Sequence, residues 1–77
     1  MSRILTKLNQ LEKIDNLIRL KSTGTPIQLA KKIDTSERTV YNLINELRIL
    51  GASIKFCKFN QSYYYMEEFY LPYKSNR

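Results

Sequence analysis

The sequence predicts a small α+β domain, mainly helical, with three helices followed by one β-hairpin. Apolar residues recur at helical spacing as far as Leu50 and then alternate after Gly51. Between Thr25 and Gly51 two helical segments follow each other across a very short polar turn, each opened by a capping residue. At 77 residues the chain has room for one core. We expect a single domain over residues 1–77, its core at about 11–67 and a tail at 68–77.

The first helix is expected from about residue 4 to 21, where Ile4, Leu8, Leu11, Ile14, Leu17 and Ile18 form a stripe. Asp15 and Arg19 stand at the spacing that lets them pair. Gly24 is expected in the left-handed conformation past the helix end. The second helix opens on Thr25 as cap, Pro26 in the first helical position and Gln28 in the capping-box position. Ile27, Leu29, Ala30 and Ile33 give it an apolar face. Asp34-Thr35 makes the turn, and Ser36 caps a third helix at about 36–50, with Glu37 at the positive end of the helix dipole. Val40, Leu43, Ile44, Leu47 and Leu50 are its buried stripe, and Gly51 stops it.

The hairpin is expected over 54–66, with Asn60-Gln61-Ser62 as its turn. Ile54 and Phe56 share one face of the first strand, Lys55 and Cys57 the other. In the second strand Tyr64 and Met66 are assigned to the helices, and Tyr63 and Tyr65 to the open side. Glu67 to Arg77, containing Pro72, reads as irregular.

Composition narrows the function. Thirteen Lys and Arg against seven Asp and Glu give a net charge of +6, which suits a nucleic-acid partner. The chain has no histidine, so His-based triads and His-containing zinc sites are excluded within it. Gly24 and Gly51 are isolated, so there is no phosphate-binding glycine loop. We expect no enzyme activity, no catalytic residue, no metal and no cofactor. One cysteine rules out an internal disulfide and suits a reducing cytoplasm. No apolar run approaches the roughly 18 residues of a membrane span, so no membrane partner is expected.

On the third helix Arg38, Tyr41, Asn42 and Asn45 lie on one face, and Ser36 and Glu37 at the leading tip. A helix in the major groove needs donors and acceptors on the side away from its core. Asn42 and Asn45 suit adenine edges, and Arg38 suits guanine or a phosphate. Ser36, Thr39 and Tyr41 suit backbone contacts, with Lys31 and Lys32 on the supporting helix. Lys55, Lys58, Asn60, Gln61 and Ser62 would bring the hairpin onto an adjacent groove or phosphate run. Each feature also has a plainer reading. The asparagines can be a solvated face, Arg38 can pair with Glu37, and the strand lysines can guard a sheet edge. The tyrosines can pack the hairpin rather than stack bases, and Cys57 can be a half-buried small residue.

The order helix, capped helix, turn, longer helix and hairpin resembles a winged helix-turn-helix. Leu29-Ala30-Lys31-Lys32-Ile33, Ser36-Glu37-Arg38-Thr39-Val40-Tyr41, Leu43-Ile44-Asn45-Glu46-Leu47 and Gly51 are similar to the DNA-binding domains of biotin-repressor-like and DeoR-like bacterial transcription regulators. Asp34 stands where that family usually has Gly, and Asn42 where it commonly has Asp or Arg. The resemblance implies a transcription regulator that binds double-stranded DNA, with 36–50 as recognition helix and 54–66 as wing. A homodimer is the expected assembly, since one such domain reads few base pairs. The alternative is a protein-interaction module built on exposed Tyr63, Tyr65, Phe69, Tyr70 and Tyr73. A third reading gives the tyrosines to single-stranded nucleic acid.

Overall fold

The computed structural model describes residues 3–71, with side chains described from Lys7 onward. It contains α1 (Arg3–Arg19), α2 (Pro26–Lys32), α3 (Glu37–Ile49), β1 (Ile54–Cys57) and β2 (Ser62–Tyr65), the two strands pairing antiparallel. The α+β class with three helices and one small hairpin is therefore observed. Pro72 and Tyr73 lie outside the described residues.

Local chemistry accounts for each helix end. The Thr25 hydroxyl accepts from the Gln28 N–H at 3.3 Å, and the Gln28 side chain accepts from the Thr25 N–H at 2.9 Å. This is the expected capping box, with Pro26 beside it. Ser36 caps α3 by accepting from the Thr39 N–H at 3.2 Å. The C-termini share one solution. After α1, α2 and α3 the residues in the left-handed region are Lys21, Asp34 and Gly51. In each case the next N–H reaches back to a carbonyl in the last turn: Ser22 to Leu17, Thr35 to Ala30, Ala52 to Leu47. Gly24 has the expected left-handed conformation (φ 73°), but it is Lys21 at φ 55° that ends α1, which closes at Arg19. Gly24 serves α2 instead. A Cβ there would sit 2.4 Å from the Gln28 side-chain oxygen, so any other residue would be strained at φ 73° and would push Gln28 out of the capping box.

The core joins all elements. Leu11, Ile14 and Ile18 from α1 meet Leu29, Ala30 and Ile33, and then Val40, Leu43, Ile44 and Leu47 of α3. Ile27, assigned to the apolar face of α2, is 57% exposed; a helix of two turns offers only one narrow buried side, which Leu29, Ala30 and Ile33 occupy. An ion pair between Lys7 and Glu46 and a hydrogen bond from Arg48 Nη2 to the Ile54 carbonyl (3.0 Å) tie α3 to α1 and β1.

Two expectations about the C-terminal half are corrected. The register Ile54↔Tyr65 and Phe56↔Tyr63 places Tyr63 and Tyr65 on the face that Ile54 turns to the core. Tyr63 is buried, Tyr65 half-buried, and Met66 exposed. The second correction concerns the tail, which is irregular but packed as far as Leu71. Phe69 and Leu71 are core residues, so the core extends beyond residue 67. Arg19 holds the segment by donating to the Phe69 carbonyl, and its guanidinium lies 4.9 Å from the Tyr70 ring centroid. Behind Arg19, fully buried Asp15 accepts from Arg19 Nε at 3.2 Å and from the Tyr65 hydroxyl at 2.6 Å. The expected Asp15–Arg19 pair is thus part of a network that fastens β2 and the C-terminal segment to α1.

Candidate nucleic-acid interface

The face of α3 is set by its buried stripe. With Val40, Leu43, Ile44 and Leu47 inward, a helix of about 3.6 residues per turn presents Arg38, Asn42, Asn45 and Ile49 directly opposite. Arg38, Asn42 and Asn45 are exposed and make no hydrogen bond or ion pair among the described residues. The alternative Arg38–Glu37 ion pair is not formed.

Glu37, Tyr41 and Arg48 form a second stripe, turned toward the hairpin. The Tyr41 hydroxyl donates to Glu37 Oε2 at 3.3 Å, and Arg48 reaches the Ile54 carbonyl. Desolvation, then the hydrogen bond and charge of Glu37, hold the Tyr41 hydroxyl above the ordinary tyrosine range. Burial lifts the Tyr63 hydroxyl too, helped by neighbouring Tyr41 and Glu37 and opposed by Arg48.

The remaining predicted residues divide by availability. The Ser36 hydroxyl donates to Thr39 Oγ1 at 3.0 Å and accepts from the Thr39 N–H, so Ser36 is committed to the cap while the Thr39 hydroxyl keeps its proton. Lys31 is exposed and unpaired among the described residues, whereas Lys32 Nζ donates to the Ser22 carbonyl. Lys55, Lys58, Asn60 and Gln61 are exposed on the hairpin. Ser62 is not available. It is 1% exposed, opposes Cys57 as the first residue of β2, and shares hydrogen bonds with Thr23, which in turn accepts from the Tyr63 N–H at 2.9 Å. The turn therefore spans 58–61, with Gln61 at φ 55° closing it.

Charge is distributed in keeping with these surfaces. From Leu47 to Met66 the chain has no Asp or Glu but contains Arg48, Lys55 and Lys58. Sequence reasoning passed over two exposed apolar residues beside the polar groups. Ile49 is 76% exposed on the outer face of α3, and Phe59 is 95% exposed at the hairpin tip. The signal for Ile49 was its position four residues after Asn45; for Phe59 it was a bulky ring inside a polar turn. Among the described residues no helix is long and apolar enough to cross a membrane. No family model, curated protein or solved structure matches this chain.

Proposed function

We propose that this chain is a winged helix-turn-helix domain that binds double-stranded DNA sequence-specifically, as a bacterial transcription regulator does. The observation that carries the reading is the outer face of α3. Arg38, Asn42 and Asn45 stand together, exposed and uncommitted, on a helix whose opposite side is wholly buried. Those residue types pair bidentately with guanine and adenine edges in the major groove. α2, packed on α3, brings Lys31 toward the phosphates, and Lys55 and Lys58 do so from the hairpin, which serves as the wing. Nothing in the arrangement calls for catalysis, a metal or a cofactor. A cytoplasmic regulator acting as a homodimer on two related half-sites completes the proposal.

Fluorescence anisotropy with a mixed-sequence duplex tests it, comparing the native chain with Arg38→Ala/Asn42→Ala. The double variant should bind at least about tenfold more weakly, as lost base and phosphate contacts require, with an unchanged melting curve. Equal affinity would remove α3 from the interface.

A protein partner is the second reading, and Ile49 is what favours it, since an exposed aliphatic side chain at the C-terminal end of a polar face suits a protein surface better than a groove. Among the described residues the expected aromatic patch does not form. Tyr63 and Phe69 are buried, Tyr65 is half-buried and bonded to Asp15, and Tyr70 alone of the described four is exposed.

A further inference from the structure

Phe59 is the most exposed of the large apolar side chains among the described residues, at 95%. It stands in the loop between Cys57 and Ser62, preceded by Lys58 and followed by Asn60 and Gln61, all of them exposed. The loop is anchored at its base. The Asn60 N–H donates to Cys57 Sγ at 3.4 Å, and buried Ser62 is bonded to Thr23 in the connection between α1 and α2. Among the described residues the aromatic contacts, Phe56 with Tyr63 and Tyr65 with Phe69, leave Phe59 out. A firmly held hairpin thus presents one bare ring at its tip.

We propose that Phe59 is a wedge that enters the minor groove of duplex DNA and partly unstacks one base step. The inference rests on the DNA reading above and adds the groove and the mode of contact used by the wing. Proteins working in the minor groove combine Lys, Asn or Gln at the groove floor and walls with an apolar residue pushed between bases. The tip holds that combination in the consecutive residues Lys58, Phe59, Asn60 and Gln61. The amides face the acceptors of A·T pairs, Lys58 takes a flanking phosphate, and Lys55 lies farther back on the same hairpin. The acid-free stretch from Leu47 to Met66 keeps carboxylates of the hairpin away from the backbone. A lipid surface would be better served by several adjoining apolar residues than by one ring between a lysine and two amides.

The chain has no tryptophan, so F59W supplies a single reporter at an exposed position where folding is not at stake. The experiment titrates F59W with a mixed-sequence duplex rich in A·T, recording duplex anisotropy and indole emission together. The expected result is binding with strong quenching of the emission, loss of acrylamide accessibility, and reversal by distamycin, a minor-groove ligand. F59A should bind about tenfold more weakly, as removal of a ring stacked on bases does. Binding by anisotropy with unaltered emission, or F59A equal to the native chain, overturns the wedge and leaves the α3 reading standing. Absence of any duplex binding overturns both. An emission shift with phosphatidylglycerol vesicles and none with duplex assigns the tip to a membrane surface and overturns the wedge.

Discussion

Lys21, Asp34 and Gly51 occupy equivalent positions after their helices, yet only one of them is glycine. A side chain in the left-handed region is strained, whereas glycine loses more freedom on folding. The first effect is the larger for Lys, so Lys21→Gly should raise stability by about 0.5–1 kcal/mol, and Asp34→Gly by less because Asp enters the left-handed region more readily. Urea denaturation reads this directly, and a lower midpoint would contradict it. Asp15 is the other residue whose neighbours decide its worth. Its buried carboxylate is satisfied by Arg19 and by Tyr65, whose hydroxyl is pushed far upward by burial, the Asp15 bond and the Asp15 charge, with Arg19 offsetting part. A raised pKa means that the folded state favours the neutral phenol. This contribution is complete below the ordinary tyrosine value of about 10 and fades as pH rises above it. Tyr65→Phe should cost about 1–3 kcal/mol at neutral pH by removing a donor from a buried acceptor. The gap between the two proteins should then narrow above pH 10, in stability measured by urea at a series of pH values. A constant gap would mean that the phenol does not stay neutral on this account.

The elements differ in how much of their placement is local. Helix starts were legible because a cap needs only its own turn: Thr25-Pro26-Ile27-Gln28 and Ser36-Glu37-Arg38-Thr39 carry their instructions within four residues. Strand faces were not. Tyr63-Tyr64-Tyr65-Met66 offers comparable apolar character on both sides, so pairing with Ile54 and Phe56 makes the choice, and a shift of one residue reverses every side chain. The C-terminal segment was opaque for a related reason. Phe69-Tyr70-Leu71 shows no period, and its docking depends on an Arg19 donor that lies fifty positions earlier. Phe69→Ala should therefore cost about 3 kcal/mol, the usual loss for a buried ring. A thermal melt within error of the native chain would show the segment to be dispensable.

At the scale of the whole molecule, one buried core supports two exposed surfaces, the outer face of α3 and the tip of the hairpin. Most of the α3 surface was legible, because the positions opposite a helical stripe follow from geometry once the stripe is known. Ser62 was misjudged because its partner, Thr23, belongs to the connection between α1 and α2, which no local pattern links to it; Lys32 stays exposed but shares its ammonium with the Ser22 carbonyl of the same connection. Exposed Ile49 and Phe59 escaped because an isolated apolar residue breaks no periodicity. The charge of +6 predicts binding that depends on phosphate neutralisation. The most direct test is duplex affinity as a function of salt for the native chain, repeated with Lys55→Ala/Lys58→Ala. The account predicts a steep fall of affinity with salt, with a slope equivalent to several released counterions that is shallower by about two in the variant. Affinity indifferent to salt, or no duplex binding at low salt, would contradict it.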